Sequence, residues 1–154
     1  MLSINILIFF IILMYNLYMY NILLVDDTRT WLLFHKEIIN QLYGKIFQIT
    51  LADSAKDAYD IIRRNTEKPF DIIITDLQME SDYEPELAGE WLIKQIKNLK
   101  EYSRTNIIII SAMFNIEFIA KKYNVECIPK NILIRNKLLL KFMFEKIMPF
   151  LNNI

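Results

Sequence analysis

The apolar run Asn21-Ile-Leu-Leu-Val ends on the acidic pair Asp26-Asp27, and a second run, Asp71-Ile-Ile-Ile-Thr, ends on Asp76. In an open parallel sheet, ligands bind beyond the carboxyl ends of the strands, so acids placed there converge in one crevice. Ser111 closes the run Asn106-Ile-Ile-Ile-Ile, and Lys130 closes Val125-Glu-Cys-Ile-Pro, adding a hydroxyl and an ammonium at two further strand ends. A single aspartate at a strand end is read most simply as a cap or solvating group for the next turn. Five such residues in order are far more specific, and three neighbouring carboxylates suit a metal-dependent phosphate site.

Short apolar runs alternate with amphipathic stretches, which predicts repeated strand-helix units with strands near 20–25, 46–51, 70–75, 106–110 and 125–128. Five strands and five helices make a doubly wound α/β layout. The first helix follows Asp27 with Thr28 or Thr30 as its cap, shows Trp31, Phe34, Ile38 and Leu42 on one face, and stops at Gly44. The second runs from the cap Ser54 to about Arg64 with Ala55, Ala58, Ile61 and Ile62 inward. The third begins near Leu87 and carries Trp91, Leu92, Ile96 and Leu99; the fourth runs through Ile116 and Ile119 to Tyr123. The last starts at Asn131 or Arg135 and presents Leu138, Leu139, Phe142, Met143, Ile147 and Phe150.

From about Met19 onward the chain resembles the receiver domain of two-component response regulators. The resemblance rests on Asp26, Asp27, Asp76, Ser111 and Lys130 in the family's order, each at a strand end. It implies a flavodoxin-like five-stranded parallel sheet of order 2-1-3-4-5 and a phosphoryl group accepted on Asp76 from a histidine kinase or phosphotransfer protein. It also implies a Mg²⁺ ion held by Asp26, Asp27, Asp76 and the backbone carbonyl of Gln78, with Lys130 and Ser111 on the phosphoryl oxygens. Three crowded carboxylates would repel one another without a cation, and Mg²⁺ prefers oxygen ligands and commonly keeps waters. The protein's part is then to position and neutralise.

Several positions depart from the family pattern. The lysine is usually followed by a proline with a cis bond, whereas Pro129 precedes Lys130 and Asn131 follows it. Cys127 stands where an aromatic switch residue is common, and is read as a small apolar strand residue rather than a reactive thiol. In place of Met-Pro and a nearby Asp-Gly, the chain has a longer loop, Met79 to Gly89, carrying Glu80, Asp82, Glu84 and Glu86. That loop reads as a solvated variable segment, or else as one that attracts a basic partner or metal, or impedes an anionic donor. His35 is assigned to ordinary packing, and Met113 and Phe114 either sense phosphate or lid the core. Gln78 stands where a dehalogenase-type aspartate phosphatase needs a second acid, which argues against that activity.

A chain of 154 residues with 54% hydrophobic side chains can bury one core and is the size of one domain. The resemblance then implies a stand-alone receiver, a phosphoacceptor with self-catalysed phosphotransfer at most rather than an enzyme. Lys+Arg 18 balances Asp+Glu 18, which leaves no basic excess for nucleic acid. One cysteine, Cys127, excludes an internal disulfide and fits the cytoplasm. Residues 1–18 form an apolar extension ahead of a domain spanning 19–154, and no charge falls between Leu2 and Tyr20. The extension lacks the basic flanks of a spanning anchor and the cleavage site of a signal peptide, so it is read first as a mis-assigned start or loose extension; the alternative is an anchor tethering the domain to the inner membrane on its cytoplasmic face. The rival reading is a degenerate receiver that takes no phosphate and serves as a binding scaffold.

Overall fold

The computed structural model describes residue 6, residues 19–79 and residues 87–153. The extension at 1–18 therefore lies almost wholly outside the described residues, as do Glu80, Asp82, Glu84 and Glu86 of the acidic loop. Five parallel strands, β1 (Tyr20–Val25), β2 (Phe47–Ala52), β3 (Ile72–Thr75), β4 (Asn106–Ser111) and β5 (Glu126–Pro129), form one sheet of order β2-β1-β3-β4-β5. This is the flavodoxin-like doubly wound arrangement expected from the sequence. The three central strands are buried on both faces, which is why their sequences are continuous in Ile, Leu and Val rather than alternating.

The side chains of each strand divide between two cores. Leu23, Val25, Ile73, Ile107 and Ile109 face α2 (Ala55–Arg64), α3 (Ala88–Lys97) and α4 (Ile116–Tyr123). Ile22, Leu24, Ile72, Ile74, Ile108 and Ile110 face α1 (Arg29–Tyr43), α5 (Lys130–Arg135) and α6 (Leu138–Ile147). Local signals agree with these elements. Ser54 caps α2, its hydroxyl accepting the Asp57 amide at 3.1 Å, and Gly44 ends α1 at a φ of 60°, where a side chain would be strained. Thr28 occupies the N-cap position of α1, but its hydroxyl caps nothing and donates instead to Asp27.

Three expectations about the helices are corrected. The final helical segment is two helices, so the described residues hold six α-helices and two 3-10 turns (Lys100–Tyr102 and Pro149–Asn153) rather than five helices. The break falls at Asn136, which leaves helical geometry and whose side-chain oxygen accepts the Leu138 amide at 3.2 Å. On α6 the buried residues are Leu140 and Phe144, while Leu138 and Phe142 are exposed. On α1 the buried face is Leu32, His35, Ile38, Ile39 and Tyr43, and Trp31, Phe34 and Leu42 lie at its margin.

Phe144 is fully buried, stacked on Tyr43 (5.6 Å between ring centres, 8° between planes) and edge-on to Phe47 at 5.5 Å. It joins α6 to α1 and β2 through one aromatic cluster. Phe144→Ala should therefore lower stability by about 3–5 kcal/mol in urea unfolding, the usual result of emptying an aromatic site in a close-packed core.

Candidate functional site

Strand register brings the acids level. Val25 pairs with Thr75, so Asp26 and Asp76 leave adjacent strands side by side, and the ladder continues past them through Asp26 N–H to Ala52 O and Asp76 N–H to Val25 O. Ser111 pairs with Pro129, which sets Lys130 one residue beyond the β4 end. All of these positions lie at the carboxyl edge of the sheet, the crevice that its topology creates.

Lys130, Asp26 and Asp76 form a buried trio. The ammonium donates to Asp26 Oδ2 at 2.7 Å and to Asp76 Oδ2 at 2.5 Å, and the three residues are 5%, 1% and 6% exposed. The other oxygen of each carboxylate is held by the turn that follows. Asp26 Oδ1 accepts the Thr28 amide at 2.9 Å; Asp76 Oδ1 accepts those of Leu77 (2.6 Å) and Gln78 (3.3 Å). Buried charges persist when paired and hydrogen-bonded in this way. The pairing is incomplete in charge, because one ammonium serves two carboxylates. Burial pushes the Asp26 carboxyl above its usual range against the opposing pull of Lys130 and the Thr28 amide, and the Asp76 charge adds to the rise.

Asp27 stands beside the trio with an exposed side chain, its Oδ1 accepting from the Thr28 hydroxyl at 3.2 Å. Ser111 is fully buried, and its oxygen meets the Met113 amide at 3.5 Å rather than a carboxylate of the trio. Gln78 is exposed, with its amide turned toward Asp76. Met113 packs against the core whereas Phe114 is almost wholly exposed, so only the first acts as a lid. Cys127 lies partly buried against the core, and burial, then Glu117 and Glu126, push its thiol up, in keeping with an inert strand residue.

The donor set around the crevice is oxygen only, with two buried carboxylates and one exposed. Among the described residues no group of three or more His, Cys, Asp or Glu side chains converges closely enough to cage an ion. Such a set fits a hard cation that retains waters, as Mg²⁺ does, and not zinc.

Gly89 is a site residue that the sequence reading did not single out. A Cβ there would lie 1.9 Å from the Asp76 carbonyl oxygen and 2.7 Å from Leu77 Cα, and the Gly89 amide donates to Leu77 O at 3.2 Å. The start of α3 thus lies directly against the backbone of Asp76 and Leu77. The signal was present in the scarcity of glycine, with only two in the chain, one of them ending the loop. Gly89→Ala should displace the Asp76 turn and cost about 1–3 kcal/mol of stability, measured by urea unfolding, since no flexible side chain is available to yield.

His35 is buried among Trp31 and Phe34, with its Nε2 lacking a hydrogen-bond partner. Burial first, then the charge of Lys130, lowers its pKa from 6.5 to about 4. Between those values the folded chain binds fewer protons than the unfolded one. The stabilisation is therefore complete above the unfolded value and is lost as pH falls toward 4, by on the order of 3 kcal/mol. His35→Met should flatten the fall of the urea midpoint between neutral pH and pH 4.

Comparison with known proteins bears on the whole arrangement. No curated protein sequence matches the chain. The fold is shared with the phosphorylated cyanobacterial phytochrome response regulator RcpA (TM-score 0.67, 19% identity, 82% of this chain and 91% of that one). It is shared also with the chemotaxis protein CheY4 of Vibrio cholerae (0.55, 17%, 71% and 83%). RcsB of Salmonella typhimurium is similar as well (0.62, 19%, 84% of this chain), although the chain spans only 60% of that structure. The family profile of the response regulator receiver domain matches residues 22–134, from β1 into α5, and by that match the chain belongs to the response regulator receiver family.

Proposed function

We propose that the domain, residues 19–154, accepts a phosphoryl group on Asp76 in a Mg²⁺-dependent reaction and signals through contacts with other proteins. The observation that carries this reading is the buried bridge from Lys130 to Asp26 and Asp76 at the carboxyl edge of the sheet. The Asp76 carboxylate attacks phosphorus, forming an acyl phosphate as the bond to the donor's leaving group breaks. Asp26, Asp27, Asp76 and the Gln78 carbonyl would hold the ion, which when bound screens the charge on the phosphoryl oxygens. Lys130 releases a carboxylate and turns its ammonium to a phosphoryl oxygen. The Ser111 hydroxyl, now near the Met113 amide, takes another oxygen and couples the modification to the loop that follows β4.

The donor is a histidine kinase or phosphotransfer protein. Balanced charge argues against a nucleic-acid partner for this domain. Among the described residues no helix is long and apolar enough to cross a membrane. A cytoplasmic site of action is proposed from the receiver family and the lone cysteine, and any tether would belong to residues 1–18. A scaffold that takes no phosphate is the second reading. Cys127 favours it, because a small strand residue packed into the core supplies no aromatic ring to swing toward Ser111.

The test is incorporation of label from acetyl phosphate with and without Mg²⁺. Asp76→Asn should abolish labelling while the fold survives, and Asp27→Ala should abolish it by weakening Mg²⁺ binding. Robust labelling of Asp76→Asn would remove Asp76 as acceptor, and an unlabelled wild-type chain would leave the scaffold reading in possession.

A further inference from the structure

The Lys130 ammonium touches a third group. The ring of Trp31, in the first turn of α1, lies with its centre 4.7 Å from Nζ, well inside the range of cation–π attraction. Two donors of the ammonium go to Asp26 and Asp76, so the indole covers another side of the same cation. The indole is itself fixed. Phe34 meets it edge-on (5.5 Å, 86°), and His35 packs beside it at 5.6 Å.

We propose that Trp31 is a positioning residue for phosphotransfer, holding the Lys130 ammonium in the crevice while it passes between the carboxylates and a phosphoryl oxygen. This rests on the phosphoacceptor reading of Asp76. A lysine head is a point charge on a flexible four-carbon stem, and it must leave a strong carboxylate contact to serve an incoming group. A hydrogen bond to a fixed acceptor would resist that movement. An aromatic face attracts a cation over its whole width, so the ammonium can slide a short distance across the ring without losing the contact. The backbone around the lysine adds to the need: Lys130 opens α5 directly, with Pro129 before it and Asn131 after it. At that helix start the cation gains nothing from the backbone dipole. Beside the indole His35 stays neutral, so no second cation competes for the ring.

The experiment uses the full chain and labelling from acetyl phosphate in Mg²⁺. Trp31→Leu should slow labelling roughly tenfold, the kinetic equivalent of one desolvated cation–π contact, with Mg²⁺ affinity little changed. Trp31→Phe, which retains a weaker aromatic face, should recover a large part of the rate. A second measurement avoids dependence on the folding of Trp31→Leu. In Trp91→Phe, which removes the only other tryptophan, Trp31 emission should change on adding beryllofluoride with Mg²⁺, and Lys130→Ala should abolish the change. Wild-type rates in both Trp31 variants, or an emission change that persists without Lys130, would overturn the positioning role alone. A wild-type chain that takes no label would overturn the phosphoacceptor reading and this role with it.

Discussion

One ammonium held between two buried carboxylates governs the site and much of the architecture beneath it. Asp26 ends β1, Asp76 ends β3 and Lys130 follows β5, so the bridge reaches across the place of β4 and links three strands that are not all neighbours. Charges this deeply buried hold their ionised forms only where the partners and the backbone amides are correctly placed. The placement comes from register: Val25 opposite Thr75 and Ser111 opposite Pro129 bring the groups to one level. A slip of one residue would send each of them to the other face. With Asp27 alongside, the crevice carries three acids against one base, and that imbalance is the chemical reason to expect a cation there.

The apolar strands serve the same end. Polar groups at a strand end are located only as well as the strand is, and β1, β3 and β4 are located by close packing on both faces. The loops above the sheet carry the specialised parts. Gly89 shows how closely the two are joined, since the helix after the acidic loop rests its backbone on the carbonyl of Asp76. The acidic loop can therefore vary in length at little cost, provided that it delivers a residue without a side chain to that point.

Strands and strand-end residues were legible because continuous Ile and Leu runs bounded by acids have few alternative explanations. Helix faces were less so, for two different reasons. On α1 the large rings of Trp31 and Phe34 sit at the margin near the site while the polar His35 goes inside, so hydrophobicity alone rotated the face by about one residue. On α6 the segment Leu138-Leu-Leu-Lys-Phe-Met-Phe is apolar on nearly every side, and periodicity cannot choose a face that packing against Tyr43 and Phe47 selects. The break at Asn136 did have a signal, an asparagine able to accept a helix-start amide, which the apolar pattern on either side obscured. Gly89 and the indole at Lys130 depend on approaches between segments far apart in sequence, which no local pattern records.

The order Pro129-Lys130 has a consequence for how the lysine is aimed. A proline after the lysine would constrain its backbone from the C-terminal side; here β5 ends on Pro129 and α5 begins at the lysine without an intervening loop. The backbone of Lys130 is thus set by a strand on one side and a helix on the other, and Leu133, one turn on, is fully buried to anchor that helix. What remains free is the four-carbon stem. Its end is constrained by the groups it meets, Asp26, Asp76 and the Trp31 ring, each carried by a different element. Rigid backbone with an adjustable head keeps the cation within reach of both carboxylates yet able to leave either, as the proposed phosphoacceptor role of Asp76 requires.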